Sequence, residues 1–229
     1  MKKIELSPSV SIIIAGIIVA AAVVFSSQNR AAAPTVAAGA GAGQAAAATI
    51  SIHPPTATDH IIGSASAPIV LVEYSDFQCP YCSMIYPTLK KIVADSNGQI
   101  AWIYREMPLT SIHPQAAPAA NAAECIAAQL GSAGFWKYAD AVFANQQKLS
   151  PEYSAQLAAS FGADPAKYAT CVTNKTYQSI IDTDSAEAQA SGGSGTPFTV
   201  VVNTKTGKMA PVSGALPEAQ ILSVINSVK

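Results

Sequence analysis

Cys79-Pro80-Tyr81-Cys82 is the one place in the chain where two cysteines stand within a helical turn of each other. Thiols at that spacing exchange disulfides: one attacks as a thiolate, and the other resolves the mixed disulfide by attacking the first sulfur. The neighbours decide which does which. Ile69 to Val72 is a continuous apolar run rich in β-branched residues, suited to a central strand covered on both faces. Pro80 is the residue type best tolerated at the first helical position, so Cys79 is expected to cap a helix N-terminus. Unsatisfied N–H groups and the positive end of the helix dipole there favour thiolate and lower its pKa below the ordinary ~8.5. Cys79 is therefore the expected nucleophile, and Cys82, one turn deeper, the resolving thiol.

The segments upstream set the compartment. Met1-Lys2-Lys3 is basic, and Val10 to Phe25 is apolar apart from Ser11 and Gly16, shorter than the ~20 residues of a full span. Residues 1–27 read as an export signal, either an uncleaved anchor that holds the chain in the membrane or a signal peptide removed after export. Both place the remainder outside the cytoplasm. Residues 28–49 are an Ala/Gly-rich stretch that cannot bury a core and read as a disordered linker. A net charge of −1 with 12% charged residues leaves no basic patch for nucleic acid.

Residues 50–229 carry the elements that must position the cysteines. Ile50 to Ile62 is expected to give a short first strand, followed by the central strand, a helix running to about Asp95, and a parallel strand from Ile100 to Arg105. After Pro108 the apolar period becomes helical. Ala116, Ala120, Ala123 and Ala127 share a face, Gly131 and Gly134 punctuate, and Phe135, Tyr138, Val142 and Phe143 form the next stripe. Ser150-Pro151 and Asp164-Pro165 read as helix starts, and another helix covers about Thr176 to Ala190. Phe198 to Val202 and Met209 to Val212 make a hairpin about the Asn203 to Lys208 turn, and Pro217 opens a final helix. The expectation is an α/β domain whose sheet comes from about 50–110 and 192–229, with a helical insertion at about 111–191.

A Cys-x-x-Cys pair at the start of a helix that contains a proline, here Pro87, resembles thioredoxin. With the inserted helices, the chain resembles the bacterial DsbA-like thiol:disulfide oxidoreductases over roughly residues 50–229. The resemblance rests on Cys79-Pro80-Tyr81-Cys82, Glu73, the Pro108 to Ala123 stretch with His113-Pro114, and Gly195-Thr196-Pro197. It implies a thioredoxin fold with an inserted helical domain. It also implies that Glu73, desolvated on the central strand, shuttles the proton of Cys82; the alternative is a strand-end glutamate facing water. It implies a cis bond at Thr196-Pro197 opposite the cysteines, with substrate adding as an extended strand beside Thr196 and against Pro80 and Tyr81; the alternative is an ordinary trans proline.

The same resemblance implies exported, reduced polypeptides as substrates, no cofactor, and a monomer. It further implies a quinone-linked membrane thiol oxidase, DsbB-like or VKOR-like, that restores the disulfide. Oxidase, isomerase and reductase share these residues, and the resemblance favours the oxidase. Cys125 and Cys171 complete an even set in an oxidising compartment, which predicts a disulfide stapling the insertion; the alternative is a pair of unpaired small hydrophobes. Both are single and distant from the active pair, so no zinc site is expected. His113 reads as a residue capping a helix start, and Trp102 and Trp136 read as core. The competing class is a surface module that captures metal or protein without turnover.

Overall fold

The structure, a computed structural model, describes residues 50–229. The expected export signal at 1–27 and linker at 28–49 lie outside the described residues. Among the described residues no helix is long and apolar enough to cross a membrane.

The sheet is built around β2 (Ile69–Ser75), whose residues are all buried, as its unbroken apolar start requires. β3 (Ile100–Glu106) pairs with it in parallel on one side and β4 (Phe198–Asn203) antiparallel on the other. β1 (His60–Ile62) adds antiparallel to β3, and β5 (Met209–Ser213) antiparallel to β4, giving the order β1-β3-β2-β4-β5. The short strand expected within Ile50 to Ile62 forms at the end of that segment, as β1. Pro54 and Pro55 have no N–H to give a ladder, and Ile50 and Ile52 pack instead against the apolar cluster behind the sheet.

Successive side chains of β2 alternate between two cores. Ile69 and Leu71 enter the larger one with α1 (Pro80–Asp95), α2 (Ala116–Ala144) and α6 (Glu218–Val228). Val70, Val72 and Tyr74 enter the smaller one with Phe198 and with Ala188 of α5 (Gln178–Ala190). Glu73 and Ser75 continue the Ile69–Leu71 face, so a carboxylate and a hydroxyl point into the core that holds the cysteines. This alternation is what aims them there.

The insertion between β3 and β4 consists of α2, a 3-10 turn (Gln146–Lys148), α3 (Pro151–Phe161), α4 (Pro165–Thr173) and α5. Ser150 Oγ accepts from the Tyr153 N–H at 3.1 Å, and Asp164 accepts from Ala166 and Lys167, so both expected helix starts are capped. Gly131 breaks α2 with φ +70°, whereas Gly134 remains helical where a Cβ would come within 2.5 Å of Leu130 Cβ. Trp102 and Trp136 are both core residues.

Candidate active site

Cys79 is the N-cap of α1 with extended backbone, and Pro80 takes the first helical position. The loop that delivers it is anchored by Phe77, fully buried with its ring 5.2 Å from Tyr104 and 5.3 Å from both Tyr138 and Phe143. Gln146 donates its amide to the carbonyls of Phe77 and Cys79 at 2.9 and 2.8 Å. Asp76, 1% exposed, accepts from the Gln78 N–H at 2.7 Å, the Leu109 N–H at 2.9 Å and His113 Nδ1 at 2.8 Å. The turn before the nucleophile is thus held from the strand end, from the following loop and from the insertion.

His113 therefore does not cap α2. Gln115 holds the N-cap position with no side-chain bond, and the imidazole turns back to Asp76 because a ring N–H donated to a buried carboxylate makes a stronger, charge-assisted bond than one the ring would accept from a helix N–H. Asp76 and Gln146 were not singled out in the sequence. Asp76 adjoins the motif, and its type suits a turn, which was the available signal. Gln146 carries no local signal, since its partners lie far away in the chain.

The electrostatics separate the two thiols. Cys79 and Cys82 are both free, and the Cys79 thiol is pulled down to about 5 by the hydrogen bond from Cys82, with the Thr196 bond and the N–H groups of Cys82 and Tyr81 adding to it against burial. Cys79 Sγ also lies 3.4 Å from the carbonyl of Thr196. Cys82, fully buried, is pushed well up, first by burial and then by Cys79 and Glu73, although the Asp76 N–H donates to its sulfur at 3.4 Å. Glu73, 1% exposed, is raised to about 8 by burial, opposed by Ser75 Oγ donating to its Oε1 at 3.0 Å. A thiolate-prone sulfur and a proton-holding sulfur and carboxyl stand together.

Thr196-Pro197 is a cis peptide, and the Thr196 carbonyl lies beside Cys79. Pro80 and Tyr81 are exposed on the same turn, Tyr81 by 59%. The structure thus brings Cys79, Cys82, Glu73, Thr196, Pro197, Pro80 and Tyr81 to one site. Cys125 and Cys171 are elsewhere: they form a disulfide joining α2 to α4, with Cα atoms 5.9 Å apart. Ligand atoms of His53, Asp184 and Glu187 lie within 4.8 Å of one another, but Arg105 already sits 2.8 Å from both Glu187 Oε2 and His53 Nδ1 and supplies the positive charge there.

A family profile described as Thioredoxin matches residues 55–215. Among curated proteins, Na(+)/H(+) antiporter NhaA 3 of Salinispora tropica is 34% identical over 139 residues, which make up 61% of this chain and 21% of that protein. NhaA 1 of Mycolicibacterium vanbaalenii is 33% identical over 148 residues, 63% of this chain and 23% of that one. The chain therefore spans about a fifth of the length of the curated relatives it matches. Among solved structures, Pseudomonas aeruginosa DsbA2 is 28% identical with a TM-score of 0.64, covering 76% of this chain and 96% of its own. Bacillus subtilis BdbD in its oxidised form is 21% identical with a TM-score of 0.64, covering 76% and 94%. With the profile spanning most of the described residues and the sheet, insertion and two-cysteine helix start in place, the chain belongs to the thioredoxin family as a DsbA-like member.

Proposed function

We propose that this protein is an extracytoplasmic thiol:disulfide oxidoreductase that forms disulfides in exported polypeptides through Cys79 and Cys82. The observation that carries the reading is the opposed poise of the two sulfurs, Cys79 down to about 5 and Cys82 well up, over the buried Glu73. A thiolate stabilised at Cys79 stabilises the reduced pair, which makes the disulfide the stronger oxidant and favours the oxidase direction.

In that direction a substrate thiolate attacks Cys79 Sγ, the Cys79–Cys82 bond breaks, and Cys82 leaves with the electron pair. Glu73 gives Cys82 its proton, which burial of both groups makes necessary. The second substrate thiol then loses its proton and attacks the substrate sulfur of the mixed disulfide, and Cys79 departs as the thiolate its surroundings favour. Substrate is oxidised by two electrons and the pair is reduced by two. Thr196 and Pro197, with Pro80 and Tyr81, form the surface on which an extended polypeptide lies beside the sulfur.

The reading further includes export by residues 1–27, retained as an anchor in the cytoplasmic membrane, and reoxidation by a quinone-linked membrane thiol oxidase of the DsbB or VKOR kind. Oxidation of a dithiol peptide tests the activity: turnover by the wild type and none by Cys79→Ser is expected. Stoichiometric metal or protein capture without turnover would refute it. In cells lacking such a membrane oxidase, Cys79 and Cys82 accumulate as thiols; a fully oxidised pair there would refute that partner.

A further inference from the structure

A carboxyl that gives up a proton inside a core leaves a charge behind, and a buried charge without a hydrogen-bond donor is costly. Glu73, 1% exposed, makes one hydrogen bond among the described residues, the 3.0 Å bond that its Oε1 accepts from Ser75 Oγ. Oε2 is buried and makes none. The two residues meet through the two-residue period of β2, which sets both on the face of the core that holds the cysteines. Ser75 is fully buried, and a hydroxyl at such a position opposes folding unless it is bonded. Its backbone carbonyl accepts from the Met107 N–H at 2.8 Å, a bond that any residue at the strand end would make, so the bond to Glu73 is what the serine side chain adds.

Other donors stand near the carboxyl and are not engaged. Thr199 of β4 is directly opposite Glu73 in the antiparallel register, yet its Oγ1 is buried without a partner. The indole N–H of Trp102 is unpartnered as well. The titratable groups around Glu73 are Cys79, Cys82 and Tyr86 from α1 and its N-cap and Tyr104 and Glu106 from β3, and none of these is a cation. Arg105 is turned to the other face of β3 and held by Asp59 and Glu187. A Glu73 carboxylate therefore depends on the serine hydroxyl.

We propose that Ser75 is the positioning residue of the proton transfer: by donating to Oε1 it leaves the proton of the acid on Oε2 and stabilises the carboxylate that remains once Cys82 has taken that proton. The inference rests on exchange through Cys79 and Cys82 with Glu73 as the acid. As the Cys79–Cys82 bond breaks, the electron pair goes to Cys82 and the proton moves to it from Glu73, while Ser75 keeps its own proton throughout. In the acid form the oxygen that accepts a hydrogen bond is the carbonyl, so the bond from Ser75 fixes which oxygen is protonated. In the carboxylate the same bond strengthens, because its acceptor is charged. Burial raises Glu73 to about 8; Ser75 is the foremost influence against it, ahead of Trp102, and Cys79 adds to the rise. Cys82 is pushed up by burial, Cys79 and Glu73, and Ser75 works against them there too. The hydroxyl so keeps the acid able to give its proton and take it back, whereas a buried carboxyl with no donor would hold on to it.

The test is the titration of the Glu73 carboxyl in the reduced protein, followed by NMR of the isotope-labelled carboxyl in wild type, Ser75→Ala and Thr199→Val, with Glu73→Gln to assign the signal. Ser75→Ala deletes one oxygen and is expected to raise the midpoint from about 8 by about one pH unit, the difference between a bond accepted by a charged and by a neutral oxygen. Thr199→Val, which removes a hydroxyl that makes no bond, leaves the midpoint in place. The infrared carbonyl band of the protonated acid moves to higher wavenumber in Ser75→Ala, since that carbonyl loses its donor. Reduction of the Cys79–Cys82 disulfide by dithiothreitol at neutral pH slows about threefold to tenfold, within the factor that one pH unit represents, and adding Ser75→Ala to Glu73→Gln slows it no further. An unchanged midpoint, band or rate in Ser75→Ala, or a further slowing in the double variant, would overturn the role; if Ser75→Ala fails to fold, Ser75→Gly carries the same expectations. Dithiothreitol reduces the pair whatever the natural substrate, so absence of polypeptide turnover would refute the proposed function and leave these results readable.

Discussion

Replacing both Cys125 and Cys171 by alanine removes the cross-link between α2 and α4 without touching the Cys79 turn. The cysteines are 46 residues apart. For a loop of that length the chain-entropy relation gives about 4 kcal/mol of stabilisation through the unfolded state. Cys125 is fully buried, and loss of its sulfur adds about 1 kcal/mol, as for deletion of one core methylene. The sum, about 5 kcal/mol, corresponds to a fall in melting temperature of roughly 10–20 °C for a domain of this size. α4 should loosen first, since it is short and Tyr168 is its one buried residue. Calorimetry of the oxidised wild type and the double variant measures the fall, and amide exchange locates it. Dithiol-peptide oxidation is expected to persist below the new melting temperature. A fall under about 3 °C, or equal exchange protection in α4, would show that the cross-link does not staple the insertion, as would recovery of both cysteines as free thiols in peptide maps of the non-reduced protein.

Glu73→Gln should slow resolution by Cys82 about 10²-fold or more while first attack by Cys79 changes little, and stopped-flow measurement of both steps checks this. Gln146→Ala leaves the Phe77 carbonyl without its donor and the Cys79 carbonyl with the Ser83 N–H alone; it should destabilise the domain by about 1–3 kcal/mol and weaken Cys79 alkylation, read by denaturant melts and trapping. The Cys79 thiol falls from 9.0 to about 5 on folding, so between those values the unfolded reduced chain binds more protons, and the reduced protein gains stability as pH rises through that window. Glu73, raised from 4.5 to about 8, works in the opposite sense over its own window but is present in both redox forms. The reduced-minus-oxidised stability should therefore rise with pH from about 5 and lose that gain as pH falls, and Cys79→Ser should remove the trend.

The parts of the fold legible in the sequence are those fixed by neighbours. The apolar run into Cys79-Pro80 dictates a buried strand and a helix start, and the Ser-Pro and Asp-Pro pairs dictate helix caps, because each needs only a few adjacent residues. The place of β1 within Ile50 to Ile62 is less legible, because Ile50 and Ile52 carry a strand-like pattern while Pro54 and Pro55 deny a ladder its donors. His113 departs from its expected capping role for a related reason: helix-start chemistry is local, but the Asp76 carboxyl that takes its ring N–H comes from the end of β2. Gln146 carries no local signal, because it acts across the chain on the Cys79 turn.

Whether Cys79 attacks while Cys82 waits is read from the thiolate absorbance of the reduced protein in the ultraviolet, titrated with pH. One thiolate is expected to form with a midpoint near 5, and Cys79→Ser should abolish that step. A single-thiolate step that survives Cys79→Ser, or a midpoint at the ordinary ~8.5, would show that Cys79 is not the poised nucleophile.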